Sequence, residues 1–211
     1  MDGFRFAGKH SLDDWEIYAL PKQRPLFAEP KVTVEEVSAV DGEFDYSRMN
    51  PQGRLFFKPR LLEYECHFVG EDEDEESFAR KAREIAAWLV TAGEARLEPD
   101  DEPDVFYLAR AMNLYQIQSI TPYSGYFPLV FRCQPYRFAR RMTQVDAENV
   151  GDGSEVAVSN PGYFVAPVIE VSGTAPDGFS LSCNNRTLHV GQALDGASVT
   201  VDMEHMTVTK D

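Results

Sequence analysis

One stretch, Glu75 to Ala92, constrains this chain more than any other, because it is the only segment with a sustained helical period. Phe78, Ala82, Ile85, Trp88 and Leu89 recur at steps of three and four, which makes one face apolar and leaves the other charged. The acidic run Glu71 to Glu76 sets negative charge beside the free N–H groups and positive dipole end of the first turn, and Gly93 supplies a stop. Burying Phe78, Ile85, Trp88 and Leu89 contributes roughly 6–10 kcal/mol. Such a helix needs a broad apolar surface to lie on, and strands on both sides of it must supply one.

Strand patterns do flank it. Phe4 to Gly8 and the stretch ending Trp15 to Leu20 read as two short strands around a polar turn. Pro21, Pro25 and Pro30 then keep the chain extended. Lys31 to Val37 alternates, and Val40 to Asp45 reads as a tight turn through Asp41-Gly42. From Phe44 to Phe57 the pattern suggests an arm, with Tyr46, Met49, Leu55, Phe56 and Phe57 around a turn at Asn50 to Gly53. Leu61 to Val69 is a strand running into the helix. After it come Glu94 to Leu97, the Pro-bounded acidic turn Pro99 to Asp104, and strands over Val105 to Ala111, from Asn113 towards Pro122, and over Tyr126 to Cys133. The expected fold is α+β and mostly β: an antiparallel β-sandwich or split-barrel unit with one helix, ending near Arg141. Asn149 to Ser154 is turn-rich. Beyond it, five short strand patterns between Phe164 and Thr209 suggest a small β-sandwich. About 60 residues is short for that architecture, so this unit is expected to be trimmed or completed by another surface.

Composition excludes several function classes. The net charge of −15 opposes an ordinary grip on nucleic acid. No run of about 18 apolar residues is present, and the first residues lack a basic start before an apolar core, so neither membrane insertion nor a signal peptide is expected. Synthesis in a cytoplasm follows. Cys66, Cys133 and Cys183 are odd in number and far apart, and each reads as a small buried hydrophobe.

Chemistry has no recognisable constellation here. Glu71 to Glu76 lacks the glycine and spacing of an EF-hand loop and reads as a solvated helix entrance. Asp100, Asp101, Glu102 and Asp104 sit in a turn without an aromatic platform beside them. His10, His67, His189 and His205 show no HxxxH or HxH spacing, and no GxSxG or Gly-rich phosphate loop appears. The expectation is no enzyme, no cofactor and no metal. What needs explaining is the aromatic content: 14 Phe, 9 Tyr and 2 Trp imply either a Phe-rich core or a large subunit interface.

The order of residues resembles the phage distal tail protein family of long, non-contractile tails. The resemblance is carried by Phe6-Ala7-Gly8-Lys9-His10-Ser11, Val40 to Asp45, Ala87-Trp88-Leu89, Leu97 to Tyr107 and Phe131-Arg132-Cys133-Gln134-Pro135-Tyr136, over about residues 4 to 140. Asn160-Pro161-Gly162, Ala166 to Gly173 and Val199 to Asp202 look like the start of that family's galectin-like second domain. It implies a ring-forming domain over residues 1–141 with an arm at about 43–58, a linker over 142–159, and a second domain over 160–211. It also implies a virion tail component, made in a bacterial host cytoplasm. Such a protein forms a homo-hexamer joining the tail tube protein to tail tip or baseplate proteins, and lets DNA pass through its lumen without specific binding. The residues expected at the subunit interface are Phe44, Tyr46, Met49, Leu55, Phe56 and Phe57. A tail tube subunit is one alternative. A carbohydrate-binding module, with Tyr163 and Phe164 as a sugar platform, is another.

Overall fold

The protein is described from a computed structural model covering residues 3–39, 41–49, 53–70, 72, 74–114, 118–160, 162–163, 166–183 and 186–210. It divides into two compact units, Met1–Thr143 and Gln144–Asp211.

In the first unit the strands are β1 (Phe4–Phe6), β2 (Lys9–His10), β3 (Tyr18–Gln23), β4 (Val34–Glu36), β5 (Glu43–Asp45) and β6 (Arg60–Val69). Helix α1 (Glu75–Thr91) follows, then β7 (Ala95–Pro99), β8 (Val105–Leu114), β9 (Gln118–Thr121), β10 (Ser124–Cys133) and β11 (Phe138–Ala139). A wholly antiparallel sheet runs β2-β1-β7-β8-β10-β6-β3, with β9 on β10 and β11 on β8. In β10 the period-two alternation places Phe127, Leu129, Phe131 and Cys133 inside and Pro128 and Arg132 outside. Strand β6 does the same with Leu62, Tyr64, Cys66 and Phe68. Pro21 is tolerated in β3 because that strand is an edge.

The sheet is curled. Between β1 and β6 lie four strand steps, about 19 Å if flat, yet the rings of Phe4 on β1 and Tyr64 on β6 are 5.1 Å apart. Both ends of the sheet therefore face a common interior, the split-barrel arrangement. Phe131 sits at its centre, 5.1 Å from Phe4 and 4.9 Å from Phe6.

Helix α1 fills the remaining apolar surface. The Asp74 side chain caps the helix by accepting from the Ser77 N–H at 2.8 Å, and Gly93 follows its end at φ +62. Phe78 stacks on Phe68 at 4.7 Å, and Trp88 stacks on Trp15 at 5.3 Å. Lys81 is also buried, and its Nζ donates to Glu16 at 2.5 Å. That bond and the adjacent positive charge hold the Glu16 carboxyl below its usual pKa.

A hairpin forms in the arm, but its ladder differs from the expected one. Strand β4 pairs with β5, with Val34 opposite Asp45, Glu35 opposite Phe44 and Glu36 opposite Glu43. The ladder therefore turns before Glu43, where Gly42 supplies a positive φ of +87. Its incoming strand is the alternating run before Val37, not the chain beyond Gly53. The Lys31 N–H donates to the Phe56 carbonyl and the Lys58 N–H to the Glu29 carbonyl, so Phe56 and Phe57 belong to the base of the arm. Asn50, Pro51 and Gln52, where the other turn was expected, lie outside the described residues, as does Val40.

The second unit contains β12 (Val168–Ala175), β13 (Phe179–Cys183), β14 (Arg186–Val190), β15 (Leu194–Asp202) and β16 (Thr207–Lys210). Strands β12-β15-β16 form one sheet and β13-β14 a second. Val190, Leu194, Val199 and Val201 are buried between them, with Ile169, Val171, Phe179, Leu181 and Leu188 packed around. This is a small sandwich. The Asp202 side chain accepts from the backbone N–H groups of His205 and Glu204, which closes the β15–β16 turn and holds its carboxyl below the usual range. Cys66 and Cys133 are buried as expected, but Cys183 is exposed at the end of β13.

Candidate subunit interface

The arm places four of the six expected interface residues in solvent: Phe44, Tyr46, Met49 and Phe56, with Met49 at 76% exposure. Leu55 and Phe57 are half-buried. Phe57 lies edge-on to Tyr136 at 6.1 Å, so this ring holds the arm to its own subunit. Phe44 on β5 and Tyr46 just past its end are two residues apart, share a face and stack at 6.5 Å. Pairing Glu35 with Phe44 puts its carboxylate on that same face. Sequence reasoning passed over Leu26, Phe27, Val32 and Val34, all of which are exposed. The alternation of Val32 and Val34 was the available signal. An arm with this much apolar surface and no core of its own is the feature of the unit that most needs a partner.

The acidic turn after β7 is used up structurally. Arg24 donates to both Asp101 carboxylate oxygens at 2.8 and 2.9 Å and to the Tyr64 hydroxyl at 3.1 Å. The Tyr107 hydroxyl donates to Glu102 at 2.7 Å, and burial together with that bond pushes Tyr107 up to about 12. His10 Nδ1 accepts from the backbone N–H groups of Leu12 and Asp13, so its Nε2 carries the proton donated to Asp100 at 3.0 Å. These carboxylates clasp the ends of the curled sheet and are not poised as an acid–base pair. Arg24→Met is expected to cost about 1–3 kcal/mol, since it leaves the Tyr64 hydroxyl without its donor. Urea unfolding followed by tryptophan fluorescence reads this directly, because Trp15 and Trp88 both lie in the first unit.

Elsewhere the chemistry is sparse. A shallow depression is lined by Lys9, Trp15, Glu84, Trp88 and Thr91, but both indole N–H groups are buried and offer it no donor. Among the described residues no three His, Cys, Asp or Glu side chains stand together as a metal site, and no helix is long and apolar enough to cross a membrane. Ser180 and His189 hydrogen-bond across the β13–β14 hairpin at 2.8 Å as exposed cross-strand neighbours. Tyr163 is exposed, and Phe164 lies outside the described residues.

No protein-family model matches the sequence, and no curated protein does either. Among solved structures, it is similar to the crystal structure of the Dit protein (gp 19.1) of phage SPP1. The two superpose with a TM-score of 0.70 at 16% identity, over 100% of this chain and 82% of that one. The chain has the phage distal tail protein fold. The SPP1 Dit protein is described as a paradigm of the hub of the adsorption apparatus in phages infecting Gram-positive bacteria. At 16% identity the distal tail fold is shared as a course of backbone.

Proposed function

We propose that this chain is a structural subunit of a phage tail: a hexameric distal ring that joins the tail tube to the tip or baseplate and lets DNA pass. The observation carrying this reading is the arm. Its ladder exposes Phe44 and Val34, and Tyr46 just beyond it is exposed too, while its base is tied to its own subunit through Phe57. An isolated two-stranded hairpin is marginal in water, so docking on an identical neighbour supplies the missing face. The likeness to the SPP1 hub protein supports a tail role. A net charge of −15 per copy suits a lumen that repels DNA and lets it slide.

Replacing Phe44, Tyr46 and Met49 together with Ser tests the reading. All three are exposed, so the variant's unfolding free energy is expected to stay within about 1 kcal/mol of the parent chain. Its hexamer, followed by light scattering over a concentration series, is expected to fall to monomer. A hexamer that survives the triple change rules the arm out as the contact. A tail tube subunit would share the first unit but polymerise, and electron microscopy separates closed rings from long stacks.

A further inference from the structure

A row of three side chains, Leu61, Arg132 and Arg110, crosses neighbouring strands on the outer face of the first unit's sheet. Arg132 stands directly opposite Leu61 on β6 and Arg110 on β8. All three are exposed, as is Met112 at the bulge beside them. Two guanidiniums facing each other across a ladder repel. Arg96, Arg137 and Arg140 engage Glu98, Glu102 and Glu98 respectively. Arg110 and Arg132 have no such carboxylate among the described residues. The fold therefore keeps a like-charged pair, bordered by apolar side chains, that makes no ion pair among the described residues.

The arm carries the complement. Glu35 shares one face of the β4–β5 ladder with the stacked rings of Phe44 and Tyr46, and it has no ion pair among the described residues. A guanidinium both forks onto a carboxylate and stacks on an aromatic face, so a surface of one Glu and two rings matches a surface of two Arg and two apolar side chains. We propose that Arg110 and Arg132 form the seat for the arm of a neighbouring copy of this chain. Glu35 sits between the two guanidiniums, and Phe44 and Tyr46 lie on Leu61 and Met112. The assignment rests on the ring reading above and adds to it the receiving surface. Nucleic-acid phosphate is the other anion such a pair attracts, but exposed Leu61 and Met112 favour an apolar partner over a phosphate backbone.

Three variants decide it: Arg132→Glu, Glu35→Arg, and the two combined, each measured by native mass spectrometry and light scattering across concentrations. Each single change is expected to weaken assembly about 30-fold or more. The combined variant restores one attractive pair, between positions 35 and 132, while Arg110 still repels the new arginine, so it is expected to recover at least about threefold of the lost assembly but not the parent's strength. Thermal melting checks the subunit, and Arg132→Glu is expected to leave it unchanged or slightly raised because it relieves the repulsion. A parent hexamer that Arg132→Glu leaves intact overturns this inference and spares the ring reading. Loss of assembly in both single variants without recovery in the combined one overturns the Glu35 pairing. A parent chain that is monomeric at every concentration overturns the ring reading and this inference with it. Retention on duplex DNA that falls with Arg132→Glu while the hexamer persists reassigns the pair to phosphate.

Discussion

Phe131→Ala is expected to lower the stability of the first unit by about 3–5 kcal/mol, the range for emptying a fully buried aromatic site. Its ring has no solvent exposure and touches β1 through Phe4 and Phe6 and β6 through Tyr64, with centroids 4.9 to 6.1 Å away. These are the contacts across which the sheet curls. The neighbours belong to hydrogen-bonded strands and cannot collapse into the space without changing that curl, so little of the cavity closes. Urea denaturation read by tryptophan fluorescence is expected to show the midpoint falling with the slope unchanged. A loss below about 1 kcal/mol would mean that Phe131 is not central to the core.

Gly178→Ala is expected to undo the β13–β14 hairpin, at a cost of about 3 kcal/mol or more. Two effects act together. Gly178 has φ +81, a backbone conformation in which any Cβ is strained by about 1–2 kcal/mol. A Cβ there would also lie 2.1 Å from the Val190 carbonyl oxygen, which is backbone and cannot swing aside. Phe179 and Val190 form the first pair of the hairpin, so relieving the clash opens the ladder where it begins. With only four buried apolar side chains at its centre among the described residues, the second unit has little stability in reserve. Amide hydrogen exchange over residues 179–190 is the direct measurement. Protection equal to that of the parent chain would show that the turn accommodates a methyl group.

The candidate interface was partly legible. Phe44, Tyr46, Met49 and Phe56 are exposed, and their crowding near turn-forming residues was enough to single them out. Leu55 and Phe57 carried the same sequence signal but are half-buried at the arm's base, because strand partners cannot be chosen from composition alone. The chain held two turn signals, Asp41-Gly42 and Asn50 to Gly53, and the alternating run before Val37 pairs through the first of them. Arg110 and Arg132 were not legible at all. They are 22 residues apart in sequence, and only the antiparallel register of β8 with β10 makes them neighbours.

Local chemistry in the sequence determined the helix, its apolar face, its acidic start and its glycine stop, along with the alternation that gives β6 and β10 an inside and an outside. Those features depend on residues within a few positions of one another, and periodicity records them. The tertiary structure decided the curl that brings Phe4 against Tyr64, the ladder of the arm, the Arg24 clasp on the acidic turn, and the pairing of two arginines on one face. Each of these joins residues far apart in the chain. Their meeting is set by which strands pair and how far the sheet bends, quantities that no local pattern encodes.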